Sequence, residues 1–184
     1  PDWNDPVKVK RLLDLGVPGL LFPMVESVDE AHAAVAACRY PPRGMRGVAG
    51  TTRANGFGRI TNYFTEVEKQ TAILIQLETV QAVENATAYA AVDGVDGIFF
   101  GPADIGADMG HVGQPMHPEV WQLIRPAARA LMSRGMPVGT LVSDPSFAAE
   151  LLNEGFSFVA CGSDVGLLAK SADALLAQVK TNLK

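Results

Sequence analysis

Cysteine is scarce in this sequence, and its scarcity bears on the compartment in which the protein folds. Only Cys38 and Cys161 are present, and they lie too far apart for the C-x-x-C spacing of thiol redox and zinc motifs. Two distant thiols are typical of a reduced compartment. We therefore expect a cytoplasmic protein in which both cysteines are buried and unpaired.

Positive charge and long apolar runs are also scarce. Lysine and arginine total 15 against 20 acidic residues, a net charge of −5. This balance argues against a nucleic-acid partner, because phosphate binding needs a clustered positive surface. No apolar run approaches the ~20 residues of a membrane span, and no charged-then-apolar leader is found, so we expect no membrane partner. An anionic small-molecule substrate stays possible, because a bound cation can reverse the local field.

Short apolar runs rich in β-forming residues recur along the chain and predict buried parallel strands. Helical patterns follow these runs after short connections. Such an alternation predicts a parallel sheet covered by helices, in a single domain over residues 1–184. The predicted strands are Gly19–Val25, Ala72–Leu77, Gly97–Phe100, Pro137–Val142 and Phe156–Cys161.

Capping residues predict where several helices begin and end. Asp5 and Pro6 are an N-cap and a first-turn proline for a helix that runs to Leu15, and Gly16 ends it. Ser27 begins a capping box for a helix that reaches about residue 38. Further helices are predicted at about 60–69, 80–91, 118–134, 145–153 and 164–182.

The segment from Arg39 to Arg59 interrupts this rhythm with two prolines, five glycines and five arginines. At roughly 20 residues it exceeds an ordinary connection, so we expect a functional or interfacial role. Arg46 and Arg53 within it would contact an anion or, as the simpler interpretation, form ion pairs in the loop or between subunits.

Two architectures fit the strand pattern. A (β/α)8 barrel needs eight strands and typically about 250 residues, so five strands cannot close one. An open doubly wound sheet suits the length but needs a crossover to the other face of the sheet. The pattern alone leaves both open.

Polar residues follow two neighbouring predicted strands at the edge where α/β proteins place their active sites. Gln76 and Glu78 are two residues apart and therefore point to one face, which in a barrel is the interior. Asp104 follows the next strand. Two carboxylates and an amide form a hard oxygen site for Mg²⁺ or Mn²⁺. The simpler alternative is that both carboxylates only stabilise helix N-termini.

The turn before Asp104 suggests an anion site. Gly101 permits close approach of the backbone, and Pro102 fixes the turn. The amides of Ala103 and Asp104 would then face an anion at the start of a short helix. A tight turn without a ligand is the alternative.

Ten short motifs occur in order along the chain: Trp3-Asn4-Asp5-Pro6, Arg11-Leu12-Leu13-Asp14, Pro23-Met24-Val25, Arg39-Tyr40-Pro41-Pro42, Arg46-Gly47, Arg53-Ala54, Gln76-Leu77-Glu78-Thr79, Gly94-Val95-Asp96-Gly97, Gly101-Pro102-Ala103-Asp104 and Val159-Ala160-Cys161-Gly162-Ser163-Asp164. Together they resemble the HpcH/HpaI family of class II aldolases, which act on 4-hydroxy-2-oxo-heptanedioate and related acids of aromatic and sugar-diacid breakdown. The resemblance implies a (β/α)8 TIM barrel, of which this chain supplies about strands 4–8, and a homo-oligomer, usually a hexamer in which the last helix packs on a neighbour.

The resemblance also implies roles for residues. Glu78 and Asp104 match the metal ligands, with Mg²⁺ or Mn²⁺ expected and Co²⁺ a further candidate. Gln76 matches a contact to a pyruvate oxygen, and the backbone around Ala103 matches the part that holds the pyruvate carboxylate. Asp14 matches an acidic residue near the entrance of the active site. Leu141 matches a pocket residue that shapes aldehyde preference.

One departure from the family concerns proton transfer. The family's general base, a histidine, and its substrate-binding arginine would both fall before Pro1, so we expect a chain that lacks its first strands and that alone binds metal without useful turnover. His32, His111 and His117 do not replace that base, and surface or capping roles suit them. A malyl- or citramalyl-type CoA ester lyase of the same superfamily and a non-catalytic barrel fragment are the alternative functions.

Overall fold

The sheet is parallel, and its strands are arranged in the order in which they occur along the chain. The computed structural model describes residues 1–183. The strands are β1 (Gly19–Phe22), β2 (Ala72–Leu77), β3 (Gly97–Phe100), β4 (Val138–Leu141) and β5 (Phe158–Ala160). All five predicted strands are confirmed; β2 and β3 have the predicted bounds, and the other three are shorter.

Nine α-helices are found in the described part of the chain, most of them between consecutive strands. A 3-10 turn, Val67–Gln70, follows the third helix. None of the helices in residues 1–183 has the length and apolar character needed to cross a membrane. The helices are α1 (Pro6–Leu15), α2 (Val28–Cys38), α3 (Tyr63–Glu66), α4 (Val80–Glu84), α5 (Ala86–Ala90), α6 (Pro102–Asp108), α7 (Pro118–Met132), α8 (Pro145–Asn153) and α9 (Asp164–Thr181).

The strand order decides between the two architectures. Each crossover advances the chain by one strand in the same direction. Because such crossovers are right-handed, they place their helices on one face, whereas a doubly wound sheet reverses its strand order. Helices α2, α5, α7 and α8 pack on β2, β3, β4 and β5. The fold is therefore a five-stranded part of a (β/α)8 barrel.

The two faces of the sheet differ in what covers them. Ile73, Ile75 and Leu77 alternate along β2 and are fully buried beneath the helices. The opposite face carries Gln76, whose register partner is Phe99. Phe99 in turn pairs with Gly139, and the Phe99 and Phe158 rings lie 5.6 Å apart. One layer of side chains thus runs across the concave face and includes Gln76.

The first two helices begin as predicted. Asp5 accepts hydrogen bonds from the amides of Val7 and Lys8, and Gly16 ends α1 in the left-handed conformation at φ 93°. Ser27 accepts a hydrogen bond from the Glu30 amide.

Three expectations about local structure are wrong. The single helix predicted at 80–91 is split at Asn85, whose side-chain amide donates to the Gln81 carbonyl and competes with the helix ladder. The helix predicted at 60–69 is only α3 and the turn after it. Cys161 is exposed because it follows the edge strand β5, whereas Cys38 is buried as expected.

Gly44, in the long segment after α2, allows the chain to fold back on that helix. A Cβ at this position would lie 2.5 Å from the Arg39 carbonyl oxygen and even closer to that of Ala36. Neither backbone oxygen can move without disturbing the end of α2. We predict that Gly44→Ala lowers the free energy of unfolding by about 1–3 kcal/mol, the usual range for overpacking.

Urea unfolding measures that change as a shift of the midpoint at constant slope. Gly50→Ala is the matched control, because a Cβ at Gly50 meets nothing within 4 Å. Equal stability of the two variants would contradict the prediction.

Candidate metal and substrate site

Two carboxylates meet where β2 and β3 end. Glu78 directly follows β2, and Asp104 lies in the first turn of α6, shortly after β3. The two strands are hydrogen-bonded neighbours, with Leu77 paired to Phe100. Both acidic side chains therefore lie at the carboxyl edge of the sheet, where barrel enzymes carry their active sites.

Glu78 is buried, and each of its carboxylate oxygens accepts a hydrogen bond. The Met24 amide donates to Oε2 at 2.6 Å, and the Gln76 side-chain amide donates to Oε1 at 2.7 Å. Met24 adopts a left-handed conformation at φ 49°, which is unusual for a residue with a side chain. The backbone is thus strained at the point where it holds Glu78.

Gly101 makes the close packing of this site possible. A Cβ at this position would lie 2.8 Å from Glu78 Cγ and 3.2 Å from Gln76 Nε2. Only a glycine lets the turn after β3 pass beside both side chains. The close approach at Gly101 is thus to the side chains of Gln76 and Glu78, and an approach to a ligand stays a prediction.

The environment of Glu78 disfavours its charge. Burial raises the pKa of Glu78, and the negative charge of Asp104 and a hydrogen bond with it raise that pKa further. The hydrogen bonds from Met24 and Gln76 act in the opposite direction without cancelling these effects. Two carboxylates that repel each other in a partly buried site are a suitable ligand set for a divalent cation, which would remove the repulsion.

Polar residues of the neighbouring turns fix the segment that follows Glu78. Thr79 accepts the Ala82 amide as N-cap of α4 and donates to a carboxylate oxygen of Glu26 at 3.0 Å. Asp108, at the end of α6, accepts the Val80 amide at 2.8 Å. This second layer ties the turn after β2 to α6, which carries Asp104.

A cleft of about 500 Å³ opens beside Asp104. Leu141, at the end of β4, contributes an apolar and 45% exposed side chain to its wall. The structure thus brings seven of the eight predicted site residues together, as cleft lining or as its direct neighbour: Gln76, Glu78, Gly101, Pro102, Ala103, Asp104 and Leu141.

Asp14 is the predicted site residue that the structure does not bring into this cleft. It lies near the end of α1, which leads to the amino end of β1, and it forms ion pairs with Lys10 and with the buried Arg46. Burial favours the neutral acid, but the hydrogen bonds from Lys10 and Arg46 outweigh burial and lower the pKa of Asp14. Within this chain Asp14 stabilises the loop, and the ion-pair interpretation of Arg46 is confirmed.

The site also contains a contact that sequence reasoning missed. The Met24 amide holds Glu78 through the backbone, and a backbone donor leaves no signature in the type of residue. Its only sequence signal is the position of Met24 just beyond β1, at the same edge as the carboxylates.

The fold and the site together define a class of protein: a barrel-type α/β protein with a paired carboxylate centre at its carboxyl edge. The chain belongs to the HpcH/HpaI aldolase/citrate lyase family, whose profile matches residues 2–171. The members of this family are aldolases and lyases, and a barrel with two carboxylates at its carboxyl edge suits enzymes of this kind.

Comparison with individual proteins supports this assignment. The chain is 50% identical to a pyruvate aldolase of Rhizobium etli over 181 residues, covering 98% of this chain and 71% of that protein. It is 46% identical to a 4-hydroxy-2-oxo-heptane-1,7-dioate aldolase of Salmonella heidelberg, covering 97% and 68%. A crystal structure of a family member from Burkholderia cenocepacia superimposes with a TM-score of 0.90 at 35% identity, covering 97% and 71%.

The raised pKa of Glu78 predicts a pH-dependent stability in the absence of metal. The folded state binds the Glu78 proton more tightly than the unfolded chain, whose reference pKa is 4.5. This difference in proton binding stabilises the folded state. The stabilisation is fully present below pH 4.5 and is lost as the pH rises through the pKa of Glu78 in the folded state. Glu78→Gln removes the titration, so the stability of this variant relative to the parent should increase with pH.

Urea unfolding with EDTA between about pH 4 and pH 7 measures that difference. Glu84→Gln is the control, because Glu84 is exposed on α4. If the curves of parent and Glu78→Gln run parallel, the electrostatic description of Glu78 is wrong.

Proposed function

We propose that the protein is a class II aldolase that reversibly cleaves a 4-hydroxy-2-oxo acid to pyruvate and an aldehyde. The observation that carries this proposal is the pair Glu78 and Asp104 at the ends of adjacent strands, beside a cleft of about 500 Å³. Membership of the aldolase family and the names of the two relatives support it.

The donor set suits a divalent cation of the hard type. Glu78 and Asp104 would supply carboxylate oxygens, and oxygen-only sites of this kind prefer Mg²⁺ or Mn²⁺, with Co²⁺ a further candidate. Such a cation, when bound, supplies Lewis-acid stabilisation for the negative charge that develops on the oxygen of the pyruvate enolate. The hydrogen bonds from Met24 and Gln76 hold Glu78 in position for this role.

The cleft residues would orient the 2-oxo acid. The amides of Ala103 and Asp104 lie in the first turn of α6, where backbone N–H groups have no partner within the helix and can hold a carboxylate. Gln76 would contact an oxygen of the pyruvate part. Leu141 would border the aldehyde part, where an apolar wall selects by size.

Other expectations are part of this proposal. Residues 1–184 form one partial barrel domain in this proposal. A cytoplasmic homo-oligomer, a hexamer by family resemblance, also remains proposed. Helix α9 supports oligomerisation because it exposes a group of large apolar side chains, namely Val165, Leu167, Leu168, Leu175, Leu176 and Val179.

The activity test compares two substrates. With the full-length protein, a 4-hydroxy-2-oxo diacid should release pyruvate in a reaction that EDTA stops, and a malyl- or citramalyl-CoA thioester should not be cleaved. Cleavage of the thioester alone would favour the ester lyase of the same superfamily. Cleavage of neither substrate by the full-length protein would favour a non-catalytic barrel.

We predict that Glu78→Ala and Asp104→Ala each abolish metal-dependent pyruvate release by the full-length protein. Each should also lower the affinity for Mn²⁺ by at least about 10-fold, since even outer partners of metal ligands change affinity on that scale. Calorimetric titration with Mn²⁺ measures the affinity independently of turnover.

Asp108→Asn is the matched control for the carboxylate variants. Asp108 is an acidic residue of the same helix as Asp104, and it only accepts the Val80 amide, a bond that asparagine can also form. Unchanged Mn²⁺ affinity in both alanine variants would remove the metal assignment.

We further predict that Leu141→Ala changes the preference between a long and a short aldehyde. Removing apolar wall in such a pocket typically changes discrimination by about 10- to 200-fold in kcat/KM. Aldol addition of pyruvate to the two aldehydes measures this ratio, and Mn²⁺ affinity should stay the same. Leu152→Ala, on the exposed face of α8, is the control; an equal ratio in both variants would contradict the role of Leu141.

A further inference from the structure

A second cluster of metal-ligating side chains lies in and just beyond the segment that joins α6 to α7. It consists of His111, His117 and Glu119, each of which offers one ligand atom within 4.8 Å of the other two. His111 Nε2 lies 2.8 Å from a carboxylate oxygen of Glu119, and the two imidazole rings are 3.6 Å apart. None of these three residues belongs to the site built on Glu78 and Asp104.

The backbone holds this segment in place before any ligand arrives. The His111 amide donates to the Gly106 carbonyl of α6 at 2.6 Å, and the His117 amide donates to the Gln114 carbonyl at 2.9 Å. The Trp121 indole donates to the Pro115 carbonyl at 2.9 Å. Both histidines are therefore attached to a backbone segment with a fixed path, which reduces the conformational entropy lost on binding.

We propose that His111, His117 and Glu119 form a second cation site, selective for Zn²⁺ and related transition metals. Two imidazole nitrogens and one carboxylate oxygen are the ligands of many zinc centres, with water completing the tetrahedron. Imidazole suits Zn²⁺, Ni²⁺ and Cu²⁺, whereas Mg²⁺ prefers oxygen ligands. The two sites of the chain would thus select different cations.

The same side chains also have a simpler structural role, and its loss on metal binding costs little. The His117 Nδ1 atom accepts the Glu119 amide at 3.3 Å as N-cap of α7, a long bond. A neutral imidazole has one lone pair, so a cation on Nε2 requires a proton on Nδ1 and displaces this cap. Losing one cap costs far less than binding zinc through three ligands contributes.

The side chains have room to rearrange around an ion. A cation lies in the plane of each ring that binds it, so two stacked rings must rotate apart before both can bind one cation. The His111 side chain is 22% exposed and that of Glu119 is 58% exposed, so both can turn without opening the core. The site is also accessible from solvent.

The position of the cluster connects it to the cleft. Pro115 and Met116, which lie between the two histidines in the chain, form part of the cleft wall. An ion bound by His111 and His117 would fix both ends of the segment that carries this wall. Trp121 lies one helical turn beyond His117 and reports on the same segment.

The test is calorimetric titration with Zn²⁺ of a protein without a polyhistidine tag, in excess Mg²⁺. Glu78→Gln and Asp104→Asn are introduced together to remove the first site. We expect one Zn²⁺ per chain, and a loss of at least about 10-fold in affinity in His111→Ala and in Glu119→Gln. The affinity should also fall at low pH, because the histidines must be deprotonated to bind.

His32→Ala is the matched control, because His32 is the third histidine of the chain and is exposed on α2. Unchanged Zn²⁺ affinity in His111→Ala and Glu119→Gln would overturn the proposal. Loss of binding in Cys161→Ser instead would also overturn it and would assign zinc to the exposed thiol.

A spectroscopic measurement gives a second, independent result. It avoids His117→Ala, because that variant would remove the N-cap of α7. Cu²⁺ at this cluster should quench the fluorescence of Trp121, which lies beside the segment, more than that of Trp3, which is exposed near the start of the chain. The quenching should be lost in His111→Ala, which leaves the cap of α7 in place. Equal quenching in the parent and in His111→Ala would contradict the proposal.

Discussion

The parallel pairing of β2 with β3 is the constraint on which the candidate site depends. Its register places Leu77 opposite Phe100, so the residues that follow, Glu78 and Gly101, become neighbours. Because Gly101 has no side chain, the turn into α6 can pass close to Glu78 and present Asp104. A shift of one residue in this register would turn Gln76 to the helix-covered face and move Glu78 away from Gly101.

The sequence predicted this part of the fold because its signals are local. The apolar runs of β2 and β3 are bounded by polar residues and glycine, and both strands have the predicted bounds. The caps at Asp5 and Ser27 likewise depend on neighbours within three residues. Periodicity alone predicts one helix over residues 80–91. It does not detect that the Asn85 side chain competes for a backbone carbonyl and divides the helix into α4 and α5.

The remaining features depend on contacts between distant parts of the chain. The Met24 amide reaches Glu78 across 54 positions, and a backbone donor of this kind has no residue signature. The ion pair of Asp14 with Arg46 joins α1 to a loop with no regular pattern, so no local signal indicated that the two residues lie at the amino edge. Cys161 was expected inside because it ends an apolar run, but edge strands are covered on fewer sides.

The contrast between the two thiols has a practical consequence for spectroscopy. Burial raises the pKa of Cys38 to about 12, so this thiol has little thiolate at neutral pH and no access to reagents. Cys161 is exposed just beyond β5, at the same edge of the sheet as Leu141, whose register partner is Ala160. Within residues 1–184, a maleimide dye or spin label would therefore attach at one position, close to the cleft, without prior mutagenesis.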